Sequence, residues 1–185
     1  MKQSKNVPGW ARKDYLTGLA NTRGFHDLAI KELHQSRRNG CGYSLAYLDI
    51  DDFKSVNDKL GHHAGDSLLR LLGDTLRKAT RKSDIVARIG GDEFTIWLSG
   101  TGFEDAIPAM RNIQETLRVA AARGGWPVTF SVGLATFRKA PESVAESLAQ
   151  ADSLMYAAKN AGKNTIVHRI IESLPVIDAP LETGT

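Results

Sequence analysis

Phe25, Ala29 and Leu33 recur at helical spacing and predict a helix over residues 22–38, which the Asn39-Gly40 pair closes. Residues 43–50 follow as an almost unbroken apolar run of strand length, the pattern of a central strand. The polar stretch 51–66 has room for one short helix. Leu68, Leu69, Leu72 and Leu76 form the apolar face of a helix over residues 67–82, with Asp66 at its N-cap. Residues 85–89 and 94–98 read as two short strands joined through Gly90-Gly91-Asp92-Glu93 in a hairpin. Ala106, Met110, Ile113 and Leu117 place a helix over 105–123. Val144, Leu148, Ala151, Met155 and Ala158 place another over 144–161, stopped by Gly162. Between them Val128, Phe130, Val132 and Leu134 alternate with small or polar residues, which predicts a half-buried strand. Residues 165–168 can form a last edge strand.

Strand, helices, hairpin, helix, strand, helix, strand: this order predicts an α/β sandwich, a mixed sheet of about five strands with helices packed on it. Residues 1–13 read as a polar, basic lead-in, the stump of a connection to a further domain. One domain spans 14–170. From residue 171 the chain reads as a flexible tail holding Pro175 and Pro180.

Composition sharpens this only a little. The 185 residues are 42% hydrophobic and 24% charged, which suits one domain with a real core. A net charge of +3, spread without a dense run, fits a polyphosphate ligand as well as nucleic acid. Cys41 is the only cysteine, so an intrachain disulfide and a cysteine-rich zinc site are both excluded. No apolar stretch approaches the about 20 residues of a membrane helix, and the N-terminus lacks the apolar core of a secretory signal. A soluble cytoplasmic domain without membrane contact is the expectation.

The candidate chemistry lies where strand and hairpin end. Asp49 closes the first strand and is followed by Ile50, Asp51 and Asp52; Asp92 and Glu93 stand at the hairpin tip. If the two segments are neighbours, their carboxylates converge. Such a cluster is tolerated when a hard cation neutralises it, and oxygen-only ligation favours Mg²⁺ or Mn²⁺. Gly90 and Gly91 leave the backbone bare for a bulky anion. Phe53 and Lys54 open a short helix whose N–H groups could hold a phosphate. Singly, each feature has a plainer explanation: a solvated Asp-rich turn, or an ordinary hairpin tip.

Gly90-Gly91-Asp92-Glu93-Phe94 resembles the signature of the GGDEF family of diguanylate cyclases. Three further segments resemble that family in order and spacing. They are Asp14-Tyr15-Leu16-Thr17-Gly18-Leu19-Ala20-Asn21; Asp49-Ile50-Asp51-Asp52-Phe53-Lys54 with Asn57-Asp58 and the run from Gly61 to Asp66; and Ala151-Asp152 through Lys159 with Gly162-Lys163-Asn164. The resemblance covers nearly the whole chain and implies a fold like that of nucleotidyl cyclases and polymerase palms. It implies condensation of two GTP into cyclic di-GMP, with two Mg²⁺ or Mn²⁺ ions per active site and a homodimer that brings two sites face to face.

Residue by residue, the resemblance implies that Asp49, the Ile50 carbonyl and Asp92 bind metal. Asp92 also accepts the proton of the attacking 3′-hydroxyl, with Glu93 a further acid beside it. Lys54 stabilises transition-state charge, and the Phe53 and Lys54 amides, Gly90, Gly91, Lys159 and Lys163 meet phosphate. The family commonly has arginine where this chain has Lys163, which keeps the charge but loses the bidentate fork. Asn57 and Asp66 match guanine-reading positions, with His62 nearby; the plainer roles are a helix cap for Asp66 and a loop histidine for His62. Arg81 and Asp84 resemble an RxxD site where cyclic di-GMP inhibits, against a basic helix end followed by a strand-start aspartate. Thr22-Arg23-Gly24 departs from the family's usual Arg-Arg pair.

Three rivals are weighed: a catalytically silent domain of the same fold that senses GTP or cyclic di-GMP, a nucleic-acid-binding module, and a nucleotidyl cyclase making a mixed or adenine product, against which Asp66 argues. The second lacks an aromatic-basic platform. No P-loop, HExxH or GxSxG motif is present.

Overall fold

The computed structural model describes residues 9–172; the first eight residues and the tail from 173 lie outside the described residues, and so do the expectations made for them. A 3-10 turn (Gly9–Arg12) leads into α1 (Thr22–Asn39), β1 (Tyr43–Ile50), α2 (Phe53–Leu60) and α3 (His62–Ala79). There follow β2 (Ile85–Arg88), β3 (Glu93–Leu98), α4 (Phe103–Arg123), β4 (Phe130–Phe137), α5 (Val144–Asn160) and β5 (Ile166–Ile171). The five strands form one mixed sheet in the order β2-β3-β1-β4-β5, antiparallel except for the parallel β4–β5 pair.

Helices cover both faces, which explains why seven of the eight residues of β1 are buried. Its alternate residues Ala46, Leu48 and Ile50 pack with Leu68, Leu72 and Leu76 of α3 and Met110, Ile113 and Leu117 of α4. Tyr43 and Leu45, on the other face, pack with Phe25, Ala29 and Leu33 of α1 and Val144, Ala151 and Leu154 of α5. The period of two places Asp49 on the face roofed by α5. That is what positions the site.

Two expectations are corrected. β4 is not half-buried: all eight of its residues are buried. Its small residues mark where α5 presses on the sheet. A Cβ on Gly133 would fall 2.0 Å from the Ala151 carbonyl oxygen and 2.2 Å from the Met155 nitrogen, so only glycine admits the helix here. The second correction concerns α3, which starts at His62 and not at residue 67. Its N-cap is Gly61, whose φ of +83° turns the chain directly from α2 into α3. Asp66 therefore lies inside the helix, half-buried, with no capping duty.

The opening segment is fastened to the hairpin by a partly buried ion pair. Asp14 accepts hydrogen bonds from Thr17 N (2.9 Å) and Oγ1 (2.7 Å), and from Arg88 Nη1 (3.2 and 3.3 Å). Arg88 donates from Nε and Nη2 to the Gly91 carbonyl at 3.1 and 2.7 Å. Burial pushes the Asp14 carboxyl up, but Thr17 and Arg88 together outweigh it and hold it below its ordinary value. A depressed carboxylate adds stability at neutral pH, and that stability fades as pH falls below the ordinary carboxylate range. With both side chains only 13% and 14% exposed, Asp14→Asn should cost about 2–4 kcal/mol at pH 7 and much less near pH 3. Denaturant midpoints at the two pH values test this; equal midpoints for both proteins at pH 7 would dismiss the clamp.

A second polar chain crosses the sheet. Ser44 Oγ donates to the Thr101 carbonyl (2.9 Å) and lies 2.8 Å from Thr136 Oγ1, which lies 2.9 Å from His168 Nε2.

Candidate active site

Antiparallel register sets Asp49 of β1 directly opposite Glu93 of β3 and Ser131 of β4. The carboxylates thus meet at the end of the sheet's central strands. One further bond, from Ile50 N to the Asp92 carbonyl at 3.3 Å, ties the signature turn to the end of β1. The turn is closed by Ile89 N and Gly90 N, which donate to the Glu93 carbonyl at 3.0 and 3.4 Å. A Cβ on Gly90 would stand 2.0 Å from Glu93 Oε2, so the bare glycine is what lets Glu93 fold back over the turn.

Asp49 is 4% exposed. Burial pushes its carboxyl up to about 6; a hydrogen bond from Lys159 pulls against this, while Asp92 and Glu93 add like charge. Lys159 Nζ of α5 stands 2.8 Å from Asp49 Oδ2. Tyr47, two residues back on the same face, has its phenol pushed up by burial and by the neighbouring Glu93, Asp152 and Asp49. Lys163 Nζ lies 2.6 Å from Asp52 Oδ1 at the exposed rim, and that contact raises its pKa.

Lys54 is exposed in the first turn of α2. Asp52 is the N-cap residue of α2 yet makes no capping bond with its side chain, leaving the leading amides of Phe53 and Lys54 uncapped. The α2–α3 turn folds Asn57 against α3: a Cβ on Gly65 would fall 2.0 Å from Asn57 Oδ1. Asn57 therefore sits over the residue preceding Asp66, and His62 is exposed at the head of α3.

Arg81 and Asp84 lie apart from this group. They are not on a helix end, because α3 closes at Thr80 and both stand in the turn before β2. Asp84 accepts from Arg81 N at 2.9 Å and from Ser99 N at 3.2 Å. The Arg81 side chain is exposed and, with Asp84, lines a cavity of about 1110 Å³ bounded also by Leu28, Lys31, Arg77 and Val86.

Among the described residues no three His, Cys, Asp or Glu side chains close around one point. Asp92 and Glu93 reach Asp49 as charges, with Lys159 as the counter-ion. An all-oxygen donor set holding mutually repelling acids fits a hard divalent cation. Asp51 does not belong to that set. It is 3% exposed, and its carboxylate accepts from Ser131 Oγ (2.6 Å), Thr129 Oγ1 (2.6 Å) and Asn164 N (3.0 Å). Sequence reasoning counted it among the converging acids and missed this use, as it missed Arg88. The available signal was Ser131, a hydroxyl in a largely apolar strand that needs a buried partner.

The family model described as "Diguanylate cyclase, GGDEF domain" matches residues 11–165, and the chain belongs to that family. Diguanylate cyclase DgcP of Pseudomonas aeruginosa is 39% identical over 165 residues, covering 84% of this chain and 24% of that protein. Cyclic di-GMP phosphodiesterase NbdA of the same species is 34% identical over 156 residues, covering 83% of this chain and 20% of that protein. Among solved structures, the GGDEF domain of DgcB from Caulobacter crescentus, in complex with c-di-GMP, has a TM-score of 0.78 at 28% identity. That match covers 91% of this chain and 98% of the other. The chain spans between 20% and 45% of the length of the curated relatives it matches. No helix among the described residues is long and apolar enough to cross a membrane.

Proposed function

We propose that this chain is a catalytically competent diguanylate cyclase. Two GTP molecules, one on each chain of a homodimer, would condense to cyclic di-GMP and two pyrophosphates as each 3′-hydroxyl attacks the other α-phosphate. The observation that supports this most is the register that pairs Asp49 with Glu93 while Ile50 N holds the Asp92 carbonyl. Members of this family need a divalent metal. Mg²⁺ or Mn²⁺ held by Asp49, the Ile50 carbonyl and Asp92 would neutralise phosphate charge and polarise the reacting phosphate.

The chain's own groups divide the remaining work. Asp92 takes the 3′-hydroxyl proton, and Glu93 keeps the turn acidic beside it. Lys54 and the amides of Phe53 and Lys54 meet phosphate charge as it develops, while Lys159 and Lys163 meet the terminal phosphates. Asn57 and Asp66 read guanine, with His62 nearby at the exposed head of α3. Incubation with GTP and Mg²⁺, followed by mass analysis, tests the reading. Cyclic di-GMP supports it; binding of cyclic di-GMP with no product from GTP would point instead to a silent sensor.

Product inhibition at Arg81 and Asp84 is part of the proposal, supported by the open cavity beside them. Arg81→Ala should weaken cyclic di-GMP binding about tenfold or more, the cost of one charge-assisted contact. Initial turnover should stay close to wild type. Calorimetric titration of product into both proteins checks this, and equal affinities would leave the RxxD spelling without a role.

A further inference from the structure

All three non-glycine residues with left-handed backbone among the described residues meet at one junction: Asp52 (φ +57°), Lys163 (φ +64°) and Asn164 (φ +47°). Asp and Asn tolerate such backbone, but for a lysine it is unfavourable and persists only where its surroundings hold it. Lys163 N donates to the Ala158 carbonyl at 3.1 Å, and Asn164 is held by Asp51. Its Oδ1 accepts from Ser131, and its Oδ2 accepts from Thr129 and from the backbone N–H of Asn164. Asp51 N also donates to the Thr129 carbonyl at 2.9 Å. The buried carboxylate thereby bolts the turn after α5 to the start of β4. The next residue, Asp52, leaves α2 uncapped and holds the Lys163 ammonium instead.

We infer that Asp51 is a positioning residue for anion binding, fixing the Lys163-Asn164 turn so that Lys163 stands ready at the exposed rim of the site for the triphosphate. This rests on the proposed role of Lys163 at the terminal phosphates. Lysine side chains are long and lose rotamer freedom on binding, so a fixed backbone origin lowers the entropy lost when the ammonium meets phosphate. Asp52 is the resting partner of that ammonium, and the anion displaces it. Asp49, Asp51 and Asp52 are close in sequence yet face three different tasks.

The test is calorimetric titration of 3′-deoxy-GTP, which lacks the nucleophile, with Mg²⁺ into the full 185-residue chain. Wild type, Asp51→Asn, Lys163→Met and the double variant are compared. Asp51→Asn and Lys163→Met should each weaken binding about tenfold, and the double variant should bind about as Lys163→Met does. A merely structural loss would instead add to that of Lys163→Met, to about a hundredfold, and overturn the inference. Wild-type affinity in Asp51→Asn would overturn it as well. If Asp51→Asn does not fold, Thr129→Val removes one donor and should weaken binding about threefold, with no further loss beside Lys163→Met; an undiminished affinity overturns the inference again. A wild-type chain that binds 3′-deoxy-GTP but makes no cyclic di-GMP from GTP refutes the cyclase reading and leaves the positioning role standing. A wild-type chain that does not bind the analogue refutes the positioning role.

Discussion

Asp92→Asn should lower cyclic di-GMP formation by about a thousandfold or more while the protein stays folded. The amide is nearly isosteric but cannot accept the 3′-hydroxyl proton, and it offers a shared cation only a neutral oxygen in place of a charge. The fold should tolerate it, because the turn is held through main-chain atoms: the Asp92 carbonyl accepts from Ile50 N, and the Glu93 carbonyl accepts from Ile89 N and Gly90 N. Removing the Asp92 charge also relieves like-charge repulsion on Asp49, whose carboxyl is held up at about 6 first by burial and then, against the pull of Lys159, by its acidic neighbours. Product quantified by mass, with the thermal midpoint as the folding control, decides the matter. A folded variant within tenfold of wild-type turnover would refute the assigned chemistry.

GTP should be consumed and ATP left almost untouched. Guanine offers N1–H and an exocyclic amine side by side, which a carboxylate such as Asp66 can accept together; adenine presents a lone pair at N1 and repels it. Asp66 is available for this because Gly61 takes the N-cap position of α3. Asn57 is pressed against Gly65 immediately before it. Losing one partnered hydrogen bond costs about 1–3 kcal/mol, so discrimination should be at least about tenfold, and about a hundredfold if both readers act. Parallel rate measurements with the two nucleotides provide the check. Equal rates would remove Asp66 from base reading.

Much of the fold was legible because its elements are locally self-consistent. The Leu68–Leu76 stripe, the apolar run of β1 and the glycine-rich hairpin each specify their own period. Asp49, Asp92 and Glu93 were legible as candidates because converging acids are unusual. What escaped depends on contacts between distant residues. β4 looked half-exposed because Gly133 and Ala135 resemble a solvent side until α5 lies on them. Asp66 looked like a cap because Ser67 onward carries the leucine stripe, whereas the segment from His62 to Gly65, which carries no large apolar residue, is helical too. The tasks of Asp51 and Arg88 are fixed by partners at positions 129, 131 and 164, and 14 and 91. No local pattern announces such pairings.

The hydroxyl chain across the sheet also settles where its protons lie. Ser44 has one proton, and it goes to the Thr101 carbonyl, which can only accept. The 2.8 Å contact between Ser44 and Thr136 must then use the proton of Thr136, leaving none for the imidazole. His168 is therefore the donor of its own 2.9 Å contact, which assigns the Nε2–H tautomer and leaves the lone pair on Nδ1. Burial lowers the pKa of this ring, which favours its neutral form. The chain has a single polarity, pointing from β5 inward to the turn before α4. The opposite tautomer would set two oxygens, or an oxygen and a bare nitrogen, against each other with no hydrogen between them.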